Sequence, residues 1–363
     1  MPTPATITTM HPSFAQYEGK GLSGLVNLGN TCFINACVQI LSHTYEVNDL
    51  LSKKEYKKRV SATPDAVLLI EWDNLRKALW ETDGSTTSVK PTRFLQTIHK
   101  LSRIKEISTF MGYEQNDVSE FFVFIIDCFH NAVSRKVQVG VKGTAETDED
   151  RIALVCYNMI REEYSKSYSE FIHIFFGTMV SQIISTDTKE ELSIKPEPFC
   201  TLSLPIPEKK GKNNSHTLIE CFELFSEGEL LSGDNKYLNE KTGVKEEVVK
   251  KMSFWAFPTI LVIDLKRFTK GGSKNQMLIQ FPLDNMDLSK YVIGYDKETY
   301  VYDLYGVCNH SGGVLGGHYT AFVKNADGGW YLFNDTSVTR ANPEQIISSK
   351  AYCLFYRKKQ ITI

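Results

Sequence analysis

The chain has 363 residues, 42% hydrophobic and 23% charged, enough to bury one large core or two smaller ones. Its formal net charge is -2, with 41 basic and 43 acidic residues interspersed, so charge gives no reason to expect nucleic acid or a membrane surface as partner. No apolar run reaches the roughly 18 residues of a spanning helix.

Residues 1–20, "MPTPATITTMHPSFAQYEGK", lack a basic region and an apolar core, so they read as a flexible Thr/Pro-rich extension and not as a signal peptide. A helix is predicted from Cys32, where Phe33, Ala36, Cys37, Ile40 and Leu41 keep the spacing of one apolar face. A second is predicted across "SVKPTRFLQTIHKLS", with Pro91 near its first turn. Val118, Phe121, Phe122, Ile125 and Phe129 form the stripe of a third. Then "VQVGVKGTAETDED" reads as a loop and "RIALVCYNMIREEYSK" as another helix. From about Phe175 the period changes. "TMVSQIIST", "FCTLSLPIP", "PTILVIDLKRF", "YVYDLYGVCNH", "GHYTAFVKN", "GWYLFNDTSVT" and "AYCLFYRKK" are short β-branched or aromatic runs, the pattern of antiparallel strands. "PEKKGKNNSH" and "TKGGSKNQ" read as solvated connections. The expected class is α+β, a helical front half packed on a mostly antiparallel sheet.

The eight cysteines are scattered singly, which fits reduced thiols in the cytoplasm or nucleus. None pairs as CxxC, which argues against a tetrathiolate zinc site. Cys32 differs from the rest in its approach, "GLVNLGNTC". It sits at a predicted helix start, where unpaired N–H groups and the dipole favour a thiolate. Gly29 permits a tight turn before it. Asn27 can bring an amide donor to an oxyanion at the same spot. A thiol nucleophile needs a distant base, and His318 in "SGGVLGGHYTAFV" fits, with glycines beside it where a peptide would pass. His310 shares that context. His173 lies in an apolar run, whereas His11, His99 and His216 read as exposed. The turn "NADGG" would fold the chain back and bring Asn334 and Asp335 beside His318. Either side-chain oxygen can accept the imidazole N–H and fix its tautomer.

"GLVNLGNTCFINACVQIL" and "GGHYTAFVKNADGGWYLFNDTSV" closely resemble the Cys and His boxes of the ubiquitin-specific proteases, papain-like deubiquitinating cysteine proteases. "GYEQNDVSEFFVFIID" resembles the family's box between them, and "PTILVIDLKRF" its Leu-x-Arg-Phe strand. The four motifs span roughly residues 20–357 in the family's order. Small departures are Phe33 and Ile34, where Tyr and Met are commoner, and Asn116 for a second Gln.

The resemblance implies a papain-like α+β fold: a helical thumb over about 21–170, then β fingers and an antiparallel palm over about 171–363, one catalytic domain across 21–360. It implies Cys32 as nucleophile, His318 as general base, Asn334 as the third member with Asp335 sharing or assisting, and Asn27 as the oxyanion donor. Asp117 and Glu120 match acids that grip the arginines of ubiquitin's tail. Phe268, His310 and Tyr319 match walls of the channel that admits its terminal Gly-Gly. Many members carry two CxxC pairs for zinc in the fingers. Here those positions align with Ser185 and Thr188, and with Asn239 and Thr242, so no metal is expected there.

The expected activity is hydrolysis of the bond after ubiquitin's C-terminal glycine, with no cofactor, by a monomer whose partners are ubiquitin and ubiquitinated proteins, with neither nucleic acid nor membrane. Rival readings are a protease for another Gly-Gly-ended ubiquitin-like modifier, a catalytically silent ubiquitin-binding module, and a general papain-like peptidase. The silent module has no need of the intact set Cys32, His318, Asn334 and Asp335, and the peptidase leaves two of the four motifs unexplained.

Overall fold

The computed structural model describes residues 6–8, 12–81, 88–208, 215–269, 271–313 and 316–362. The front half carries helices α1 (Cys32–Ser42), α2 (Tyr45–Ser52), α3 (Lys54–Arg59), α4 (Pro64–Trp80), α5 (Thr92–Ile104), α6 (Val118–Val133), α7 (Asp148–Lys166) and α8 (Glu170–Phe175), and α9 (Leu218–Ser226) follows in the back half. The four predicted helices are α1, α5, α6 and α7. α4 was not read from the sequence, although its start is locally written: the Thr63 hydroxyl accepts from the Ala66 N–H, and Pro64 occupies the first turn.

α1 differs from its expected one-sided pattern, because all of its residues are buried. It packs on α6 and on three strands of the main sheet, so its polar residues turn to partners inside the protein, although Asn35 Oδ1 and Gln39 Oε1 find none among the described residues. Gln39 Nε2 donates to the Ser23 carbonyl at 2.9 Å, and Ser42 Oγ donates to the Gln39 carbonyl at 3.0 Å.

The back half forms two sheets from β1 (Gly177–Ser185), β2 (Glu191–Phe199), β3 (Thr201–Leu204), β4 (Glu229–Leu231), β5 (Val248–Ala256), β6 (Ile260–Leu265), β7 (Val301–Gly313), β8 (Gly316–Lys324), β9 (Trp330–Asn334), β10 (Ser337–Ala341) and β11 (Ala351–Lys358). The main sheet has the order β10-β9-β8-β7-β11-β6-β3, with Met286–Asp287 beside β7. Its pairings are antiparallel except β6 with β3. The smaller sheet, β2-β1-β5-β4, takes the place expected for the fingers. β2 and β5 escaped the sequence reading because "ELSIKPEPF" and "VVKKMSFWA" mix charges into their apolar alternation.

The flexible reading of residues 1–20 fails for its second half. Pro12–Tyr17 is a 3-10 helix, with Phe14 buried and Tyr17 stacked on Tyr45 at a centroid distance of 4.5 Å. Tyr17 Oη donates to Asp49 at 2.7 Å, and Asn325 Nδ2 donates to the Lys20 carbonyl at 2.8 Å. Two aromatic rings supply apolar area that the Thr/Pro-rich composition hides. Thr6–Thr8 pairs with Gln360–Thr362, and the rest of this stretch lies outside the described residues.

Beside the smaller sheet, the residues that the resemblance aligns with zinc-binding positions meet through a carboxylate. Ser185 Oγ donates to Glu246 Oε2 at 2.9 Å and Asn239 Nδ2 donates to Glu246 Oε1 at 2.7 Å. The Thr188 N–H reaches Ser185 Oγ at 3.3 Å, and the Val244 N–H reaches Thr242 Oγ1 at 3.3 Å. Hydroxyl, amide and carboxylate here satisfy one another, a donor set that does not fit zinc. Among the described residues, no group of three or more His, Cys, Asp or Glu is arranged to hold a metal ion. Glu246→Ala leaves the buried Ser185 and Asn239 without their acceptor. It is expected to destabilise the fold by about 1–3 kcal/mol, read by denaturant melts, whereas a chelator leaves the unaltered chain's Tm unchanged.

Candidate active site

Cys32 is the first residue of α1 and is 3% exposed. The chain reaches it through a turn in which Gly29 and Asn30 take positive φ, at 106° and 52°. Burial pushes the other seven thiols upward: Cys37, Cys128, Cys200, Cys308 and Cys353 strongly, and Cys156 and Cys221 to about 12. Those seven are inert core thiols near neutral pH.

His318 lies on β8, and the β8–β9 hairpin returns Asn334 to it. Ala321 pairs with Phe333 and the strands then splay, leaving His318 Nε2 at 2.7 Å from Asn334 Oδ1. An amide oxygen only accepts, so Nε2 carries the proton and Nδ1 is left as the base.

Asp335 does something else. Sequence alone left it able to accept from His318; in the structure its carboxylate points the other way. Oδ2 accepts from Asn27 Nδ2 at 3.0 Å and Oδ1 accepts from Asn35 Nδ2 at 2.7 Å. Its carbonyl also takes the Leu25 N–H at 2.8 Å. A positive φ of 50° at Asp335 turns its side chain away from that of Asn334. The turn sits so close to the Cys32 approach that a Cβ on Gly24 would lie 2.4 Å from the Thr336 carbonyl oxygen. Asn27 is fixed at both ends, since its Oδ1 accepts from the N–H groups of Gly29 at 3.0 Å and Thr31 at 3.2 Å. Asn35 was missed by sequence reasoning. Its only signal is an amide in the middle of an apolar helix.

Cys32 and His318 share this site, but among the described residues no hydrogen bond joins them. The sulfur instead faces Gln115 Nε2 at 3.2 Å.

Phe268, His310 and Tyr319 pack together with Tyr352. His310 lies 4.6 Å from the Tyr319 ring and 5.7 Å from the Phe268 ring, measured between centroids. Burial, aided by the charge of Lys274, pulls His310 down to about 4. Lys274 Nζ donates to His310 Nδ1 at 2.9 Å and to its carbonyl at 2.6 Å, so "TKGGSKNQ" is not simply a solvated connection; Lys270 lies outside the described residues. Burial first, then nearby Arg267, lowers Lys274 to about 8. Arg267 anchors this loop from beneath, donating to the carbonyls of Ala351, Asn275 and Met277. The other histidines correct the sequence reading: His99 and His216 are buried, His173 is exposed against Tyr168, and His11 lies outside the described residues.

Asp117 caps α6, its Oδ1 accepting from the N–H groups of Ser119 at 2.8 Å and Glu120 at 3.1 Å. Its Oδ2 takes the Tyr352 hydroxyl in a short bond. Beside it, Asp117, Glu120, Asp127, Asp264 and Tyr352 help line a cleft of about 650 Å³. Asp264 is a further residue the sequence reading passed over. Ser203 donates to its Oδ2 at 2.9 Å, while Oδ1 is buried with no partner among the described residues. Burial, and then the charge of Asp117, raises Asp264 to about 6.

The family model described as "Ubiquitin carboxyl-terminal hydrolase" matches residues 23–356. Ubiquitin carboxyl-terminal hydrolase 2 of Bos taurus is 35% identical over 345 residues, covering 93% of this chain and 55% of that protein. Ubiquitin carboxyl-terminal hydrolase 21 of Homo sapiens is 33% identical over 366 residues, covering 94% of this chain and 62% of that protein. The chain thus spans little more than half the length of these curated relatives. Among solved structures, a chain of the SAGA DUB module of Ubp8, Sgf11, Sus1 and Sgf73 bound to monoubiquitin matches with a TM-score of 0.73 at 26% identity, covering 98% of this chain and 72% of that one. The same module bound to ubiquitin aldehyde matches with a TM-score of 0.72 at 26% identity, with the same coverage. The α+β architecture is the papain-like catalytic fold, and the chain belongs to the ubiquitin carboxyl-terminal hydrolase family.

Proposed function

We propose that this chain is a thiol-dependent deubiquitinase that hydrolyses the isopeptide or peptide bond after the C-terminal glycine of ubiquitin. The observation that carries the reading is that adjacent residues serve both halves of one site, Asn334 holding His318 and Asp335 holding Asn27 beside Cys32. The names of the related hydrolases and the ubiquitin-bound structural neighbours support the same substrate.

In this mechanism His318 Nδ1 takes the proton of Cys32, and the thiolate attacks the carbonyl carbon of the terminal glycine. Of Asn27's two amide hydrogens, one is committed to Asp335 and the other is free to meet the oxyanion. The imidazolium gives its proton to the leaving amine as the C–N bond breaks. Water then attacks the thioester, His318 takes its proton, and the carboxylate product leaves with Cys32 restored. No step calls on a cofactor. The carboxylates of Asp117, Glu120 and Asp264 would receive the cationic part of the tail in the cleft beside α6. Phe268, His310 and Tyr319 would form the floor and wall of the glycine channel; a Cβ on Gly317 would lie 2.4 Å from His310 Nε2, so that floor tolerates no side chain above it.

Cys32→Ala is expected to abolish cleavage of a ubiquitin C-terminal amide while ubiquitin binding persists; retained turnover would remove Cys32 as nucleophile. A panel of ubiquitin and ubiquitin-like modifiers with electrophilic tails should label Cys32 fastest with ubiquitin, and preference for another modifier would reassign the substrate. Asp335→Ala should lower kcat by about 10–100-fold with little change in KM, because Asn27 loses its orienting partner. Asp264 carries a pH signature. Its folded-state pKa, about 6, lies above the ordinary carboxylate value, so its contribution to stability is fully present at low pH and is lost as pH rises through about 6. Asp264→Asn should therefore raise Tm at about pH 7.5, with the gain shrinking toward about pH 4, and should raise KM for ubiquitin at neutral pH.

A further inference from the structure

Gln115 makes two bonds of the kind a neighbouring strand makes along a sheet edge. It lies in the segment before α6, and its carboxamide faces Gly317 on β8. The Gly317 N–H donates to Gln115 Oε1 at 2.5 Å, and Gln115 Nε2 donates to the Gly317 carbonyl at 2.5 Å. One residue exchanging both its backbone groups with a facing amide is how neighbouring antiparallel strands pair. On one side Gly317 is opposite Gly312 of β7; on the other, β9 pairs with β8 only from Ala321 toward the hairpin turn. That side of Gly317 is therefore an open strand edge, with a donor and an acceptor awaiting a partner. Gln115 fills it, and the same Nε2 lies 3.2 Å from Cys32 Sγ.

We propose that Gln115 is a specificity-determining residue: its amide imitates a peptide unit, covers Cys32 in the free protein, and yields to an acyl group that brings its own extended peptide to Gly317. This rests on the thiol-protease reading above. A peptide tail replaces both bonds as it displaces the amide, so the exchange costs little. A small electrophile reaching Cys32 offers Gly317 no substitute donor and acceptor, so it must work against bonds that nothing restores. The side chain thus favours tailed substrates over small reagents without touching the reaction itself.

The test compares Gln115→Ala and Gln115→Met with the unaltered chain, the second variant keeping the length while losing the amide. Alkylation of Cys32 by iodoacetamide, followed by mass spectrometry, should accelerate about three- to tenfold in both, reflecting two lost hydrogen bonds. The ratio of kcat/KM on a ubiquitin C-terminal amide to that alkylation constant should fall. The acceleration should hold from about pH 6 to about pH 9, across the ordinary thiol range. Unchanged or slower alkylation in a variant that melts like the unaltered chain overturns the proposal. So does an acceleration that vanishes at high pH, which would place the effect on the thiol's ionisation. If Gln115→Ala fails to fold, the Met variant decides alone. Failure of the deubiquitinase reading shows separately, as absence of turnover by the unaltered chain, and leaves the alkylation result standing.

Discussion

The site depends on what two consecutive residues do at the end of β9. Asn334 faces His318, and Asp335, turned by its positive φ, faces Asn27 and Asn35. Cys32 and its approach come from the start of the chain and the histidine from near its end, with Asn27 and Asp335 308 positions apart in sequence. No local interaction can hold such distant parts in register. One charged carboxylate with two amide donors can, since each charge-assisted bond is worth about 1.5–3 kcal/mol. The Leu25 N–H on the Asp335 carbonyl adds a backbone tie at the same place.

That tie explains why α1 can be buried on every side. A helix in this position must present an apolar surface both to α6 and to the sheet, yet it also has to keep its first turn aimed at the site. Asn35 and Gln39 supply the aim. Each sits within an otherwise apolar helix and spends its amide on a fixed partner outside it, Asp335 and the Ser23 carbonyl. Apolar residues in their place would pack as well but would let the helix slide or rotate, because dispersion contacts have little directional preference.

The sequence was legible where signals are local. Helical period revealed α1, α5, α6 and α7, and the hairpin turn brought Asn334 to His318 without any tertiary knowledge. α4 escaped although its Thr-Pro cap is a local signal, whereas β2 and β5 escaped because a strand in a sheet open to solvent carries charges that blur the alternation. Among site residues, the division of labour between Asn334 and Asp335 could not be read, because it turns on one backbone φ. The buried state of His99 and His216 was equally hidden, since polar neighbours in sequence need not be neighbours in space. Asp264 and Lys274 looked ordinary for a related reason. Their character comes from burial beside other charges, a property of the assembled fold.

The distribution of unsatisfied polarity follows from that assembly. Beside the smaller sheet, Glu246 accepts from both Ser185 and Asn239, so these polar side chains are paired. Around the cleft the balance is reversed. Asp264 is raised to about 6 and Arg267 lowered to about 10, each chiefly by burial, and one polar atom of each is buried with no partner among the described residues. These opposite charges lie on one strand and the turn after it, yet among the described residues no ion pair joins them. Each burial penalises the folded protein, and an arrangement selected for stability alone would pair or remove them. Arg267 offsets part of its penalty by holding three carbonyls, which fixes the loop that carries Lys274 over His310. Among the described residues the Asp264 carboxylate has only Ser203, and under the proposed function the missing partner is the substrate's cation. A carboxylate that burial makes costly to ionise alone interacts more strongly with a cation than a solvated one would, because the same low dielectric that penalises the isolated charge strengthens the pair.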